Sequence, residues 1–406
     1  MNLVEQHRIS KNHPFYKECN DLSFKTKNLY NQALYRIKTH FNISGEYLSY
    51  GTLNNELLSE KQNDYVLLPS KIAQQTLRQL DTNFKNYFKA LKVYEKYPNK
   101  FKNKPNPPNF LDKIQGRFLV IFNSQSILRR KQKIGILGLS KTNISIKTNK
   151  IAKQITISPL RTGEYSINIL YEKDCEAQVK SEIFAGIDIG VNNIATVALN
   201  TGKSFIANGK PLKSINQYYN KKLAKLKSKL PHYIDSKGKK KQRSNSNAIK
   251  KLTNKRNNKV KDYLHKASSK VVNELKQHNV SRVIIGHNNS WKDNVSIGKK
   301  NNQNFVLIPH TQFIQMLTYK LELVGISSVI REESYTSKCS FLDNEPICKH
   351  EEYMGKRLKR GIFKANNGML INADQNGALN ILKKEIPNCF TNGIEGFVVS
   401  PRKLSF

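Results

Sequence analysis

The apolar residues of this sequence change their spacing twice along the chain, so no single repeating layer can house it. From Phe15 to Phe41, the residues Phe15, Cys19, Leu22, Leu29, Ala33, Leu34, Ile37 and Phe41 recur mostly at three- or four-residue steps, which puts them on one face of a long helix. A second stripe follows the break at Pro69 and runs through Ile72, Leu77, Leu80, Phe84, Tyr87, Phe88, Leu91 and Tyr94. It stops before Pro98, and Tyr97 to Phe110 (YPNKFKNKPNPPNF) reads as a linker because proline lacks the amide a helix needs. Between Gly116 and Lys173 the pattern becomes short alternating runs (FLVIF, KIGILGL, NISIKT, KQITISPL, YSINILYEK) separated by turn residues, the mark of antiparallel strands. Asn2 to Ile9 is short and mixed, a strand able to join them. From Phe184 the spacing changes again: FAGIDIG, NIATVAL and Lys203 to Ala207 are three strands in a row. A basic helical excursion follows, then a helix to Leu275, a strand at Arg282 to Ile285 and a helix at Thr311 to Leu323. A strand at Ile326 to Arg331 and a helix at Asp374 to Lys384 complete the order. Three strands and then alternating strands and helices is the order of an RNase H type α/β layer, so the fold class is multidomain α+β.

Charge narrows the partners. The 406 residues hold 69 Lys and Arg against 30 Asp and Glu, a formal net charge of +39. Self-repulsion on that scale calls for a counter-polymer, and nucleic acid with its closely spaced phosphates is the fitting one. The densest stretch, Lys203 to Lys261, sets Lys221, Lys222, Lys225, Lys239, Lys240, Lys241, Arg243, Lys255, Arg256 and their neighbours against one acid, Asp235. It reads as a phosphate-contacting arm. The basic residues are not opposed by the apolar face that an interfacial membrane helix needs. No apolar run reaches the length of a membrane span, the first ten residues lack a signal-peptide core, and five scattered cysteines form no disulfide framework. The expectation is a cytoplasmic, nucleoid-associated protein without a membrane.

The acids that remain are conspicuous by position. Asp188 ends an apolar strand and is followed by glycine, where burial of a carboxylate is costly unless a cation compensates it. Capping of a turn is the bland reading. Asp374 opens a helix, where N-capping is the bland reading, and Glu332 and Glu333 follow the strand ISSVIR, where exposed charge is. Three carboxylates, each at the end of an element of one sheet, can instead converge on two Mg²⁺ ions about 4 Å apart for phosphodiester hydrolysis.

With GIDIGVNNIATVAL, VIIGHNNSWK, EESYTSKCS and NADQNGALNI in this order, the sequence resembles the TnpB family of transposon-encoded, RNA-guided DNA nucleases, relatives of the type V CRISPR effectors. The likeness extends over essentially the whole chain. It implies a split antiparallel β-barrel wedge domain (1–12 and 105–180), a helical recognition domain (13–104) and an RNase H-like (RuvC) nuclease domain (181–406). The last would carry a basic helical insertion (209–275) and a degenerate zinc-ribbon or lid region (335–373). It implies a guide RNA from the transposon end, and Mg²⁺-dependent cutting of complementary target DNA beside a short flanking motif.

Residue by residue, Asp188 matches the first RuvC aspartate and Asp374 the last. The usual place of the middle glutamate is Gly286 here. Glu333, just before the Tyr-Thr-Ser stretch, matches the later place that some branches use, and it is favoured over Glu332, with a site lacking a working glutamate as the alternative. Neighbouring strands lie about 4.8 Å apart, so a carboxylate moved one strand outward has roughly that distance to recover. The catalytic and metal-holding expectation is therefore Asp188, Glu333 and Asp374. Between Lys338 and Ala373 only Cys339, Cys348 and His350 remain of a ribbon, with a spacing unlike paired CxxC, so no zinc is expected. Lys338, Lys349, Lys356, Arg357, Lys359, Arg360 and Lys364 in that region are candidates for holding DNA near the metals, and Trp291 for base stacking. A nuclease-deficient RNA-guided DNA binder and a DNA strand transferase are the competing functions.

Overall fold

A computed structural model describes every residue except 131, 235–237, 243, 289–297, 299–302, 304–305, 391–398 and 406. Arg243 and Trp291 thus lie outside the described residues. The chain forms two compact units, Met1–Lys173 and Asp174–Phe406.

In the first unit β1 (Asn2–Ile9) leads into α1 (Tyr16–Ser44), α2 (Tyr50–Ser59), α3 (Asn63–Val66) and α4 (Ser70–Lys96). Strands β2 (Val120–Phe122), β3 (Ile127–Leu128), β4 (Ile136–Leu139), β5 (Ser145–Lys147), β6 (Ala152–Pro159) and β7 (Tyr165–Glu172) follow. The helix α1 ends where Gly45 takes the left-handed conformation (φ 73°) that a residue with a Cβ resists. The linker is strapped to α1 by side chains at helical spacing. Asn31 exchanges two hydrogen bonds of 2.9 Å with the Leu111 backbone, and the buried Lys27 donates to the Lys113 carbonyl at 2.7 Å. β1 pairs with β7 over its full length, Asn2 opposite Glu172 and Ile9 opposite Tyr165, so the first segment does supply a strand. The sheets run β1-β7-β6-β2 and β3-β4-β5. Both are open among the described residues, and no closed barrel is found where one was expected. Helices and strands of this unit share one core, from Leu29 and Leu77 to Phe122 and Ile155.

The second unit is built on a six-stranded sheet. Its elements are β8 (Phe184–Asp188), β9 (Asn193–Leu199), β10 (Ser204–Asn208), α5 (Lys210–Ser228), β11 (His232–Ile234), β12 (Lys240–Gln242), α6 (Asn247–Gln277), β13 (Arg282–Gly286), α7 (His310–Leu323) and β14 (Ser327–Arg331). Then come β15 (Lys356–Lys359), β16 (Ile362–Lys364), β17 (Leu370–Asn372), α8 (Ala373–Glu385) and β18 (Arg402–Lys403). The order is β14-β13-β8-β9-β10-β18. β8, β9 and β10 are antiparallel in succession, and β13 and β14 add on the other side of β8, parallel to it. One expectation needs correction. The basic excursion is not wholly helical, because a β11–β12 hairpin separates its two helices. The ribbon region carries the three-stranded sheet β15-β16-β17, in which Phe363 and Ile371 are buried. Strands of three or four residues are too short for a period to mark them in the sequence.

α8 crosses the sheet directly over β8. At Gly186 a Cβ would overlap the Ala378 carbonyl and stand 3.0 Å from Leu382 Cβ, so only glycine lets helix and strand approach this closely. Gly186→Ala is expected to cost this unit about 3 kcal/mol, the upper range for overpacking against backbone that cannot yield. A lowered urea midpoint followed by circular dichroism measures it.

Candidate active site

β8, β13 and β14 run the same way, so their carboxyl ends share one edge of the sheet. Asp188 ends β8, Gly286 ends β13, and Glu332 and Glu333 follow the end of β14. β8 is also where the strand order reverses, with β9 and β10 added on one side and β13 and β14 on the other, the kind of switch point at which open α/β sheets receive ligands.

α8 brings the third carboxylate. Its N-cap is Asn372, whose side chain accepts from the Asp374 amide at 3.0 Å and the Gln375 amide at 3.1 Å. Asp374 is therefore not spent on capping. Its Oδ2 accepts from Asn193 Nδ2 at 2.8 Å, and its Oδ1 accepts from Arg357 Nη2 at 3.2 Å. Two further asparagines of the same helix face, Asn376 and Asn380, are fully buried and donate to the Cys339 carbonyl at 2.9 and 2.8 Å; Asn380 also donates to the Thr336 carbonyl at 2.9 Å. They fix the loop that leaves Glu333. Asn372, Asn376 and Asn380 recur every four residues in NADQNGALNI, a signal that reading Asp374 alone passes over.

Glu332 and Glu333 separate by direction. Lys384 Nζ holds the exposed Glu332 at 2.9 Å, and that bond keeps its pKa below the usual carboxylate value. Glu333 faces the other way. A Cβ added at Gly286 would fall 2.8 Å from Glu333 Oε2 and against the Ile381 side chain, so the Glu333 carboxylate stands over the glycine where a glutamate was sought. Its amide is held by Asn288 Oδ1 at 3.0 Å.

Asp188 feels the other two acids. Burial, and then the charges of Asp374 and Glu333, push the Asp188 pKa well above the carboxylate range, with Arg357 pulling it back. Burial, and then Glu332, push Glu333 up to about 7. Among the described residues the only ion pair to any of the three is that of Arg357 with Asp374. Hard oxygen donors, crowded and short of protein cations, fit a divalent metal.

A carboxyl whose folded pKa exceeds its unfolded value stabilises the fold below the unfolded value, and that stability is lost as pH rises through the folded one. For Glu333 the window runs from 4.5 to about 7. In EDTA the melting temperature of wild type should therefore fall relative to Glu333→Gln across this window, as calorimetry at fixed ionic strength can record.

Asp188 and Asp374 open onto a cleft of about 1000 Å³ that also carries Lys210, Lys213, Arg357, Lys359, Arg360 and Lys403. Of the ribbon-region candidates Arg357, Lys359 and Arg360 line it, whereas Lys356 lies exposed on β15. Sequence reasoning placed Lys210 and Lys213 only within the basic arm as a whole, and it missed Lys403. Lys403 reaches the cleft only because β18 pairs with β10, which no local pattern announces.

Comparison with known proteins now has a geometry to meet. Residues 166–292 match the OrfB_IS605 family model, described as a probable transposase, and residues 310–381 match the Cas12f1-like TNB domain. InsQ of Escherichia coli (strain K12), which carries the name of an RNA-guided DNA endonuclease, is 26% identical over 370 residues, 87% of this chain and 85% of InsQ. The TnpB-like protein ORF457 of Acidianus two-tailed virus is 24% identical over 221 residues, 52% of this chain and 43% of that protein. Together these matches support a TnpB-family protein. Its fold resembles the protein of a Cas12f1–sgRNA–target DNA complex, with a TM-score of 0.54 at 16% identity over 90% of this chain and 82% of that one.

In this chain the basic arm is mixed in character. Lys221, Lys222, Lys225 and Lys255 are exposed on α5 and α6, and Lys239, Lys240 and Lys241 belong to the hairpin segment. Arg256 is instead committed inside the protein, donating from Nε to Asn216 Oδ1 at 2.8 Å and from Nη2 to the Leu307 carbonyl at 2.5 Å. In the ribbon region Cys339, Glu345 and His350 bring ligand atoms within 4.8 Å of one another. The chain already uses two of them: Glu345 accepts from the Ser340 and Met354 amides at 2.6 and 3.1 Å, and His350 Nε2 meets the Pro346 carbonyl at 2.7 Å. No helix among the described residues is long and apolar enough to cross a membrane.

Proposed function

We propose that this chain is an RNA-guided DNA endonuclease of a transposable element. It holds a guide RNA derived from the transposon end and hydrolyses complementary DNA next to a short flanking motif. The observation that carries the nuclease part is the placement of the Glu333 carboxylate over Gly286, within electrostatic reach of Asp188. Asp188, Glu333 and Asp374 hold divalent cations, Mg²⁺ by the hardness of the donors. When bound, these supply positive charge at the phosphodiester and make water more acidic. Asn193 and Arg357 orient the Asp374 carboxylate, Asn376 and Asn380 hold the loop that carries Glu333, and the cleft cations gather the phosphates.

The remaining parts follow the same reading. Residues 181–406 act as the RuvC-like nuclease, with 209–275 as its basic insertion and 335–373 as a lid held by hydrogen bonds without zinc. Residues 13–104 recognise nucleic acid, and 1–12 with 105–180 form the wedge. Support comes from the strand order of the sheet, the +39 charge and the named relatives. Purifying the protein from cells that express its own locus and sequencing the bound RNA tests the reading. A discrete RNA that ends at the transposon boundary is expected; a random mixture would sink it. Metal analysis finding one zinc per chain would overturn the lid assignment alone.

A further inference from the structure

Two adjacent tyrosines on α5 have opposite fates. Tyr219 is half-buried, its hydroxyl 3.1 Å from Thr253 Oγ1 and its ring under Arg256, whose guanidinium carbon is 5.8 Å from the ring centroid. It fastens α5 to α6. Tyr218 is 59% exposed, and Lys222 one turn later places its ammonium 5.8 Å from the ring centroid. Beside it opens a cavity of about 230 Å³ between the two helices, floored by Ile215 and Leu252 and edged by Lys255 and Lys259. The surrounding sequence is strongly basic: from Lys210 to Lys261 it holds eighteen Lys and Arg against one acid, Asp235, and the Asp262 that follows is ion-paired with Lys266. Among the described residues no acid lines the cavity.

A flat exposed ring, an apolar floor and a rim of ammonium groups suit a ligand that is apolar on its faces and anionic along its edge. An unpaired base with its flanking phosphates has that form, whereas a duplex buries its base faces and offers phosphates alone. We propose that Tyr218 is a stacking platform for an unpaired base of a single-stranded nucleic acid, with Lys222, Lys255 and Lys259 taking the neighbouring phosphates. The site deepens the nucleic-acid part of the proposed function and does not depend on the metal-holding carboxylates. RNA and DNA strands share the recognised chemistry.

The test uses the purified full chain and short labelled oligouridine and oligothymidine, each beside an abasic ladder of equal length and charge, with dissociation constants read by fluorescence anisotropy at fixed salt. Wild type should prefer the base-bearing strand by roughly 5- to 150-fold, the range for one stacked base. Tyr218→Ala should remove most of that preference, and Tyr218→Phe should keep it. Lys222→Ala should weaken both ladders alike. A stronger effect on oligouridine assigns the site to RNA, and one on oligothymidine assigns it to DNA. A base preference unchanged in a folded Tyr218→Ala protein, with circular dichroism as wild type, overturns the proposal. Asp188→Ala in parallel separates the two ideas: loss of cleavage with the base preference intact touches the active site only.

Discussion

Asp188→Ala is expected to lower guided DNA cleavage by at least about 10³-fold while leaving guide and target affinity within about threefold of wild type. The separation of the two effects is the informative part. Asp188 sits at the end of β8, where its pKa is raised by burial and by two other acids, so its carboxylate contributes little to stability as a free group. Its removal relieves repulsion and should not unfold the chain. On the proposed reading, cleavage would be lost because the carboxylate nearest the sheet's centre could no longer hold a divalent cation. Single-turnover cutting of a matched duplex in Mg²⁺, beside a filter-binding assay, measures both. Wild-type protein that binds the target without cutting it would favour a nuclease-deficient binder. Joined products from transposon-end DNA without RNA would favour a strand transferase.

Glu333→Gln should cost about 10²- to 10³-fold in the same cleavage assay, and Glu332→Gln less than about fivefold. The two glutamates are adjacent in sequence and identical in chemistry, so the difference rests on direction alone. Glu332 makes an exposed ion pair with Lys384, the kind worth at most about 1 kcal/mol. Glu333 is turned over Gly286 toward Asp188. Gly286→Ala provides the steric version of the experiment. Its Cβ would stand 2.8 Å from Glu333 Oε2 and against Ile381, both far ends of side chains that can move aside. The protein should fold, yet the displaced carboxylate should cost about 10²-fold, as misplacement near 1 Å does. Equal losses in Glu332→Gln and Glu333→Gln would refute this assignment.

How much of this was legible follows residue type. Helix stripes and strand alternation identified α1, α4, β6, β7, β8 and β9 because burial imposes a period on sequence, and the pairing of β1 with β7 lay within reach of the same reasoning. The β11–β12 hairpin and the β15-β16-β17 sheet were not legible, since strands of three or four residues are too short to show a period. At the site, the acids themselves stood out, but the neighbours that orient them did not. Asn193 meets Asp374 across 181 residues of chain, and Lys403 joins the cleft through a two-residue strand.

The sequence by itself determined that the protein needs a polyanion, that its second half is an α/β layer, and that Asp188 and Asp374 end elements of that layer. Charge, period and position along an element are properties of the chain read one residue after another. Only the tertiary structure decided between Glu332 and Glu333, and between Asn372 and Asp374 as the helix cap. Those choices depend on which way a side chain turns where the parallel ends of β8, β13 and β14 meet the start of α8, and direction in space is set by packing between distant segments.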